Sequence, residues 1–327
     1  MNEKSKISSA EIGALWMTYH KKTMILRMLE YFIEKADDRK ARNLMSSLWE
    51  ELYPKVIEIE TIFENEGAVV PEGFTKKDVN LEAPKLWEND FDILFSRILK
   101  EISTGMYALH ITIAYREDIV EFYKQLTNIT ESYYNLFTQY LLEKAALPRP
   151  PFVNMPKTID YITDKSYMKG TNIFGNKRLL NTVEFGVIYR QIESNSIGVQ
   201  LMKGFSQCSK DEQVRKYFDK GMQLSNEFLK ASSDILLQNN IKPTSSPGAT
   251  VTNSTTAPFS DKLMMFCNYL LGGFSLGGQG FSAAFIWRND LKAQIVVEGK
   301  DIFEYIQEGV ELMMKKGWLE EPPKMDL

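Results

Sequence analysis

Two stretches of the sequence, HITIAYREDIVEFY (110–123) and SAAFIWRNDLKAQI (282–295), decide how the chain is organised. Each contains an aromatic residue followed by Arg-x-Asp, and Arg116 and Arg288 are 172 residues apart (288 − 116). We interpret the motif as a tight turn between two helices, in which the arginine ends the first helix and the aspartate caps the second. A buried arginine that binds a ligand is the alternative.

The same offset recurs on both sides of the motif. SSAEIGALW (8–16) aligns with NTVEFGVIY (181–189) at an offset of 173 residues, and YLLEKAALPRPP (140–151) aligns with LMMKKGWLEEPP (312–323) at an offset of 172. A register that is kept over this distance indicates an internal duplication rather than a chance similarity.

The apolar residues of both halves recur in steps of three and four, which is the inward stripe of an amphipathic helix. Helices are predicted at 9–36, 38–66, 84–115, 118–146, 182–208, 210–239, 260–288 and 290–317. In each half a long segment rich in Gly, Pro, Ser and Thr separates the second helix from the third, and the other connections are short. This is the connectivity of a ferritin-like bundle. We therefore predict an all-α fold of two tandem ferritin-like four-helix bundles, at 1–151 and 179–327, with a linker at 152–178.

Composition and charge exclude several classes of function. The net charge is −4 and no basic stripe is present, so we expect no nucleic-acid partner. Cys208 and Cys267 belong to no CxxC motif, which fits a reducing compartment. The N-terminal residues lack the apolar core of a signal peptide, so we expect a cytoplasmic protein.

The segment 263–287 has no charged residue over 25 positions, a length that could span a bilayer. It contains polar residues and five glycines, and its counterpart in the first half is charged. We therefore expect a buried helix of the second bundle and no membrane insertion. Gly273, Gly277 and Gly280 form a small-residue face on this helix, which predicts close helix contact, self-association or a protein partner.

Candidate metal ligands are few, and they are His20, His110, Cys267, Glu11 and Glu184. A ferritin-like di-metal site needs Glu-x-x-His on two helices, and neither histidine has a glutamate three residues before it. The remaining metal hypothesis is a mononuclear site that uses one histidine with carboxylates. The opposing interpretation is structural, because a single histidine on a helix usually has a structural role. We predict no cofactor and no catalytic residue, and an enzyme is the less favoured interpretation.

Glu11 and Glu184 have a second interpretation. Each lies three residues after a helix-capping residue, Ser8 or Asn181, which is the spacing of a capping box. We favour capping, because it explains the spacing as well as the residue type. Lys22 lies on the apolar stripe of the first helix, so it either needs a partner inside the bundle or lies at a hydrated edge.

Four segments resemble a known family: NKRLLNTVEFGVIY (176–189), SDKLMMFCNYL (260–270), WRNDL (287–291) and GVELMMKKGWLEEPP (309–323). Together they are similar to an uncharacterised family of spore-forming Gram-positive bacteria, a domain of unknown function. Its members resemble CotF-type spore coat proteins and have duplicated ferritin-like bundles, so the resemblance implies the fold and no established activity. In that family a histidine often follows KLMMF, where this chain has Cys267.

Two functions are compatible with these observations. The first is a non-catalytic structural or interaction protein, associated with the spore or with stress. The second is a degenerate ferritin-like protein that binds a metal ion or a small hydrophobic ligand in a bundle core. Convergence of carboxylates, histidines or Cys267 inside one bundle would favour a metal.

Overall fold

The computed structural model describes residues 5–169, 178–243 and 249–325, and over these residues the chain forms eight α-helices. They are α1 (Ser9–Lys35), α2 (Arg39–Asn65), α3 (Phe91–Thr112), α4 (Glu117–Glu143), α5 (Thr182–Cys208), α6 (Glu212–Gln238), α7 (Asp261–Phe285) and α8 (Asn289–Lys315). The prediction of an all-α fold with two duplicated bundles is confirmed.

The duplication is visible in the ends of the helices. α1, α2 and α4 each contain 27 residues, as do their counterparts α5, α6 and α8. Asp38 and Asp211 are equivalent N-caps, and each accepts two backbone amides of the following helix. Because these caps satisfy otherwise unpaired amides, the helix boundaries are encoded locally in both halves.

α3 begins later than the sequence predicted, at Phe91 instead of position 84. The intervening residues belong to the crossover between α2 and α3, and they contain a short strand, β1 (Trp87–Glu88). This strand pairs antiparallel with β2 (Thr250–Val251) in the crossover of the second half. The sequence analysis missed this sheet, because two-residue strands leave no periodic pattern.

The side chain of Trp87 joins the two halves. Its indole Nε1 donates to the carbonyl of Gln200 on α5 at 3.0 Å. The ring lies against Gly204, where a Cβ atom would come within 2.6 Å of Nε1. Trp87 also stacks on Phe91 and contacts Phe205. The main hydrophobic cluster therefore continues from the first half into the second.

α7 differs from the expectation of a buried helix. Its first turns are buried, but Gly273, Gly277 and Gly280 lie on an exposed face where an added Cβ would meet no atom within 4 Å. Among the described residues, the small-residue face thus makes no close helix contact. Over the described ranges, none of the helices combines the length and the apolarity needed to cross a membrane.

Candidate functional site

The repeated Arg-x-Asp motif forms a latch between the α3–α4 turn and the start of α1. Glu11 closes the capping box with Ser8, and its other oxygen accepts the amides of Tyr115 and Arg116 at 2.8 and 2.7 Å. Burial opposes ionisation, but the hydrogen bonds from Arg116 and Ser8 hold the pKa of Glu11 below its usual value. One carboxylate therefore fixes two helix ends.

The second half repeats the latch. Glu184 closes the capping box with Asn181 and accepts the amides of Trp287 and Arg288 at 3.2 and 3.0 Å. It also receives both terminal nitrogens of Arg178, at 2.7 and 2.6 Å. Despite burial, the ion pair with Arg178 and the backbone hydrogen bonds lower the pKa of Glu184. The motif is architecture, as predicted.

The roles within the motif differ from the expectation. The N-caps of α4 and α8 are Arg116 and Arg288 themselves, and neither uses its side chain as a cap. Asp118 and Asp290 lie two residues further on and bind the guanidinium of their own motif through two oxygens. The aspartates were expected to be N-caps, but they bind the arginine side chains instead.

His20 lies in the first bundle, where it meets the C-terminal segment. Its Nδ1 is 2.9 Å from the carbonyl of Trp16, and its Nε2 is 3.2 Å from Oε1 of Glu320. Glu320 also accepts the amides of Glu72 and Gly73. Burial raises the pKa of Glu320, but the contact with His20 and the hydrogen bonds from these two amides outweigh it and lower the pKa to about 2. His20 therefore has a structural partner.

The remaining metal candidates lie apart. His110 Nδ1 is 3.2 Å from the hydroxyl of Thr18, and burial followed by repulsion from Lys21 lowers the pKa of His110 to about 4. Cys267 is fully buried in the second half, and burial raises its pKa. Over residues 5–169, 178–243 and 249–325, no three His, Cys, Asp or Glu side chains are grouped as a metal site would require.

A cleft of about 540 Å³ lies in the second bundle. Helices α5, α6, α7 and α8 line it, and α3 of the first half closes one side. Its walls are mainly apolar, and Phe281 and Phe285 stand exposed at its mouth. The alternative function in the sequence analysis, a ligand in a bundle core, was not tied to particular residues of this cleft.

Smaller side chains at seven positions contribute to the cleft of the second half. Aligned by the duplication, these cleft-lining residues are smaller than their first-half counterparts: Ser194 for Lys21, Asn195 for Lys22, Gly198 for Ile25, Gly221 for Leu48, Ser225 for Leu52, Gly272 for Lys100 and Gly278 for Met106. A side-by-side comparison of residue volumes in the two halves would have revealed this signal before the structure.

Polar groups occupy two places on the wall of the cleft. At one, Gln191 and Gln279 bond each other at 3.0 Å and both donate to Glu298, which is 4% exposed. Burial raises the pKa of Glu298, although the surrounding amides counteract it. This place offers amide donors and acceptors to the cleft, and Glu298 lies behind them.

At the other place, Asn268 donates to the hydroxyls of Tyr217 and Tyr305 at 3.1 and 3.0 Å. The two tyrosine rings stack with centroids 4.4 Å apart. Each ring packs against a glycine of the opposite helix, Gly309 or Gly221, where a Cβ would lie 2.2 Å from the hydroxyl oxygen. This pair fixes α6 against α8 and holds the cleft open.

The charged residues that line the cleft neutralise each other. Among the described lining residues they are Glu101 and Arg190, whose Nε donates to Glu101 Oε1 at 2.6 Å. The guanidinium carbon of Arg190 also lies 5.2 Å from the centre of the Phe274 ring. The cleft therefore presents apolar surface, amides and one closed ion pair.

These features define a class: an all-α protein made of two duplicated helical bundles, with an open cleft in the second. The chain belongs to the family described as "Protein of unknown function (DUF3231)", which matches it twice, at residues 1–159 and 168–326. This confirms the resemblance to an uncharacterised duplicated family. A proposed spore coat protein of Bacillus halodurans C-125, known from a crystal structure, is 15% identical, with a TM-score of 0.41 over 46% of this chain and 98% of that chain. No curated protein matches the chain.

Proposed function

We propose that the protein is a non-catalytic binding protein whose second bundle holds one small, largely apolar molecule with a neutral hydrogen-bonding group. The observation that carries the proposal is the apolar cleft of about 540 Å³. Ligand sites in proteins are typically concave, apolar and roughly 300–1,000 Å³ in volume, with a few placed polar groups. Of the two functions expected from the sequence, the cleft supports a ligand in a bundle core.

The polar groups indicate the character of the ligand. Glu101 and Arg190 satisfy each other at the wall, so neither is available as an unpaired charge for a strongly ionic ligand. Gln191 and Gln279 can exchange a hydrogen bond with a hydroxyl, carbonyl or amide of the ligand. A molecule with one such group and an apolar body satisfies both kinds of surface.

A neutral apolar fluorophore tests the site. N-phenyl-1-naphthylamine should bind the full chain with one molecule per protein and gain fluorescence. The variant Gly278→Met restores the residue found at Met106 and places a side chain in the cleft, where only the flexible end of Arg190 lies close. We expect binding to weaken at least tenfold, because the apolar contact area is filled.

The matched control is Gly280→Met on the same helix. Gly280 faces away from the cleft into open space, so the helix gains the same residue without loss of cleft volume. This variant should bind the probe like the wild type. Absence of binding in the wild type, or equal binding by Gly278→Met, would overturn the proposal.

A structural or interaction role, with association to the spore or to stress, stays a prediction from the sequence. The same is true of self-association or partner binding through the helix at 263–287. The exposed face with Gly273 and Gly277 is the surface we propose for that contact, since small residues let helices approach closely.

A further inference from the structure

The core of the first bundle contains three lysines that the functions above do not use. Lys21 and Lys22 on α1 and Lys100 on α3 are each no more than 1% exposed. Within the described part of the chain, none of the three side-chain nitrogens has a hydrogen-bond partner. Lysine ammonium groups are donors only, and an isolated buried charge is strongly unfavourable.

The three amines belong to one cluster. Lys21 Nζ lies 3.9 Å and Lys22 Nζ 5.1 Å from the centre of the Tyr107 ring. Repulsion from Lys100 acts on both. The ring offers a cation–π contact, but one aromatic face cannot balance three neighbouring cations.

Two further buried hydroxyl groups, of Thr130 on α4 and Ser96 on α3, have no partner within the described residues. The antiparallel register set by the contact of Tyr107 with Tyr123 puts Thr130 level with Lys100 along the two helices. Unpartnered buried donors therefore lie on three helices of the first bundle.

Negative charge is what the cluster lacks. Burial and mutual repulsion among the lysines lower the pKa of Lys21 and Lys22, and burial alone lowers that of Lys100. No carboxylate among the described residues acts on any of the three amines. The neighbouring His110, whose pKa burial and repulsion from Lys21 lower to about 4, brings no negative charge to the cluster. An anion bound between these side chains would satisfy the donors and keep the ammonium groups charged.

We propose that Lys21, Lys22 and Lys100 bind a small multivalent oxyanion of the phosphate or sulfate type in the core of the first bundle. Ammonium groups bind such oxyanions as point charges, and several of them match a multiply charged anion. The site is specific to the first bundle, because the second half has Ser194, Asn195 and Gly272 at these positions. It is independent of the cleft.

Equilibrium dialysis of the full chain with radiolabelled inorganic phosphate tests the proposal. The protein is first dialysed at pH 9 against chloride, which deprotonates the amines and releases a resident anion, and is then returned to pH 7. We expect one phosphate per chain and competition by sulfate at constant ionic strength. In Lys100→Met, phosphate binding should weaken at least tenfold.

The matched control is Lys124→Met on α4, whose side chain is 61% exposed and which should bind phosphate like the wild type. Thermal unfolding gives a second readout: the midpoint should rise saturably, by about 5 °C at a hundredfold excess over the dissociation constant. General stabilisation by phosphate does not saturate and would be equal in Lys100→Met.

Two results would overturn the proposal. One is a wild type that retains no phosphate and shows no saturable rise in its unfolding midpoint. The other is equal phosphate binding by the wild type and Lys100→Met. If Lys100→Met does not fold, competition by sulfate in the wild type tests the proposal instead. The expected result is a single saturable phosphate site that sulfate competes for. Linear phosphate uptake without competition contradicts the proposal.

Discussion

The first and second bundles share most of their helix ends but have different interiors. The first contains three buried lysines, whereas the second encloses a cleft of about 540 Å³ beside the buried carboxylate of Glu298. The latches at Glu11 and Glu184 share the capping box and the two turn amides, and Glu184 binds Arg178 in addition. The comparison teaches that the duplication preserved what fixes the helices and changed what lies between them.

The strongest test removes the shared latch from each half. Glu184→Ala should lower the free energy of unfolding by about 3 kcal/mol, because the carboxylate is fully buried and bonds two turn amides and Arg178. Glu11→Ala should cost about 2 kcal/mol, since no arginine donates to Glu11. Urea denaturation at pH 7 measures both.

Ser8→Ala serves as the control for the latch. It removes the cap of α1 and leaves the bonds from Glu11 to Tyr115 and Arg116, so its cost should be about 1 kcal/mol. If Glu11→Ala and Ser8→Ala cost the same, the turn amides contribute little and the latch is only a cap.

The second test concerns the buried lysines. Burial lowers the pKa of Lys100 from 10.5 to about 7, so above pH 7 the unfolded chain binds more protons than the folded one. Stability should therefore rise with pH. In buffer without oxyanions, Lys100 should contribute about 1.5 kcal/mol between pH 7 and pH 8.5. Burial lowers the pKa of Lys21 and Lys22 as well, so these two lysines also make stability rise with pH.

Lys100→Met should remove the part of the gain in the free energy of unfolding between pH 7 and pH 8.5 that comes from Lys100. Urea denaturation at these two pH values measures it. Other groups near the cluster titrate outside the window. His110 has its pKa lowered to about 4, and Tyr107 and Tyr123 have pKa values raised by burial. A pH profile that is the same in Lys100→Met and wild type would show that Lys100 does not titrate in the core.

The smallest change in stability is expected at Glu298, and its pH dependence is opposite to that of Lys100. Burial raises its pKa, so the folded chain binds more protons just above pH 4.5, and stability falls as pH rises through the folded pKa. Glu298→Gln should stabilise the protein at pH 7, and the gain should vanish below pH 4.5, where the carboxyl group is protonated in both states. The control Glu311→Gln, on the exposed side of α8, should leave the free energy of unfolding unchanged. If Glu298→Gln is less stable than the wild type, the charge of Glu298 is needed for stability.

Much of the fold could be predicted from short-range patterns. Ser8-x-x-Glu11 and Asn181-x-x-Glu184 gave the start of two helices, because a capping box is a local exchange of hydrogen bonds. The contact from Glu11 to Arg116 could not be predicted in the same way, since it joins residues 105 positions apart. The sequence therefore indicated the cap but not the latch.

The candidate sites were less predictable. Lys22 stood out as a polar residue on an apolar stripe, but Lys100 gave no such signal, because its burial depends on how α3 lies against α1 and α4. The cleft depends on small residues such as Gly198 and Gly272, whose effect is seen only when the two halves are superposed. Packing between helices, rather than helical pattern, decides both features.

The strand pair between the two crossovers has a consequence for synthesis of the chain. Trp87 pairs with Val251, which the ribosome adds 164 residues later (251 − 87). At roughly 5–20 residues per second, the first half waits about 10–30 s before its partner strand exists. Gln200 and Gly204, which contact the indole of Trp87, are added 113 and 117 residues after it (200 − 87 and 204 − 87), so the join between the halves forms only after most of α5 has been made.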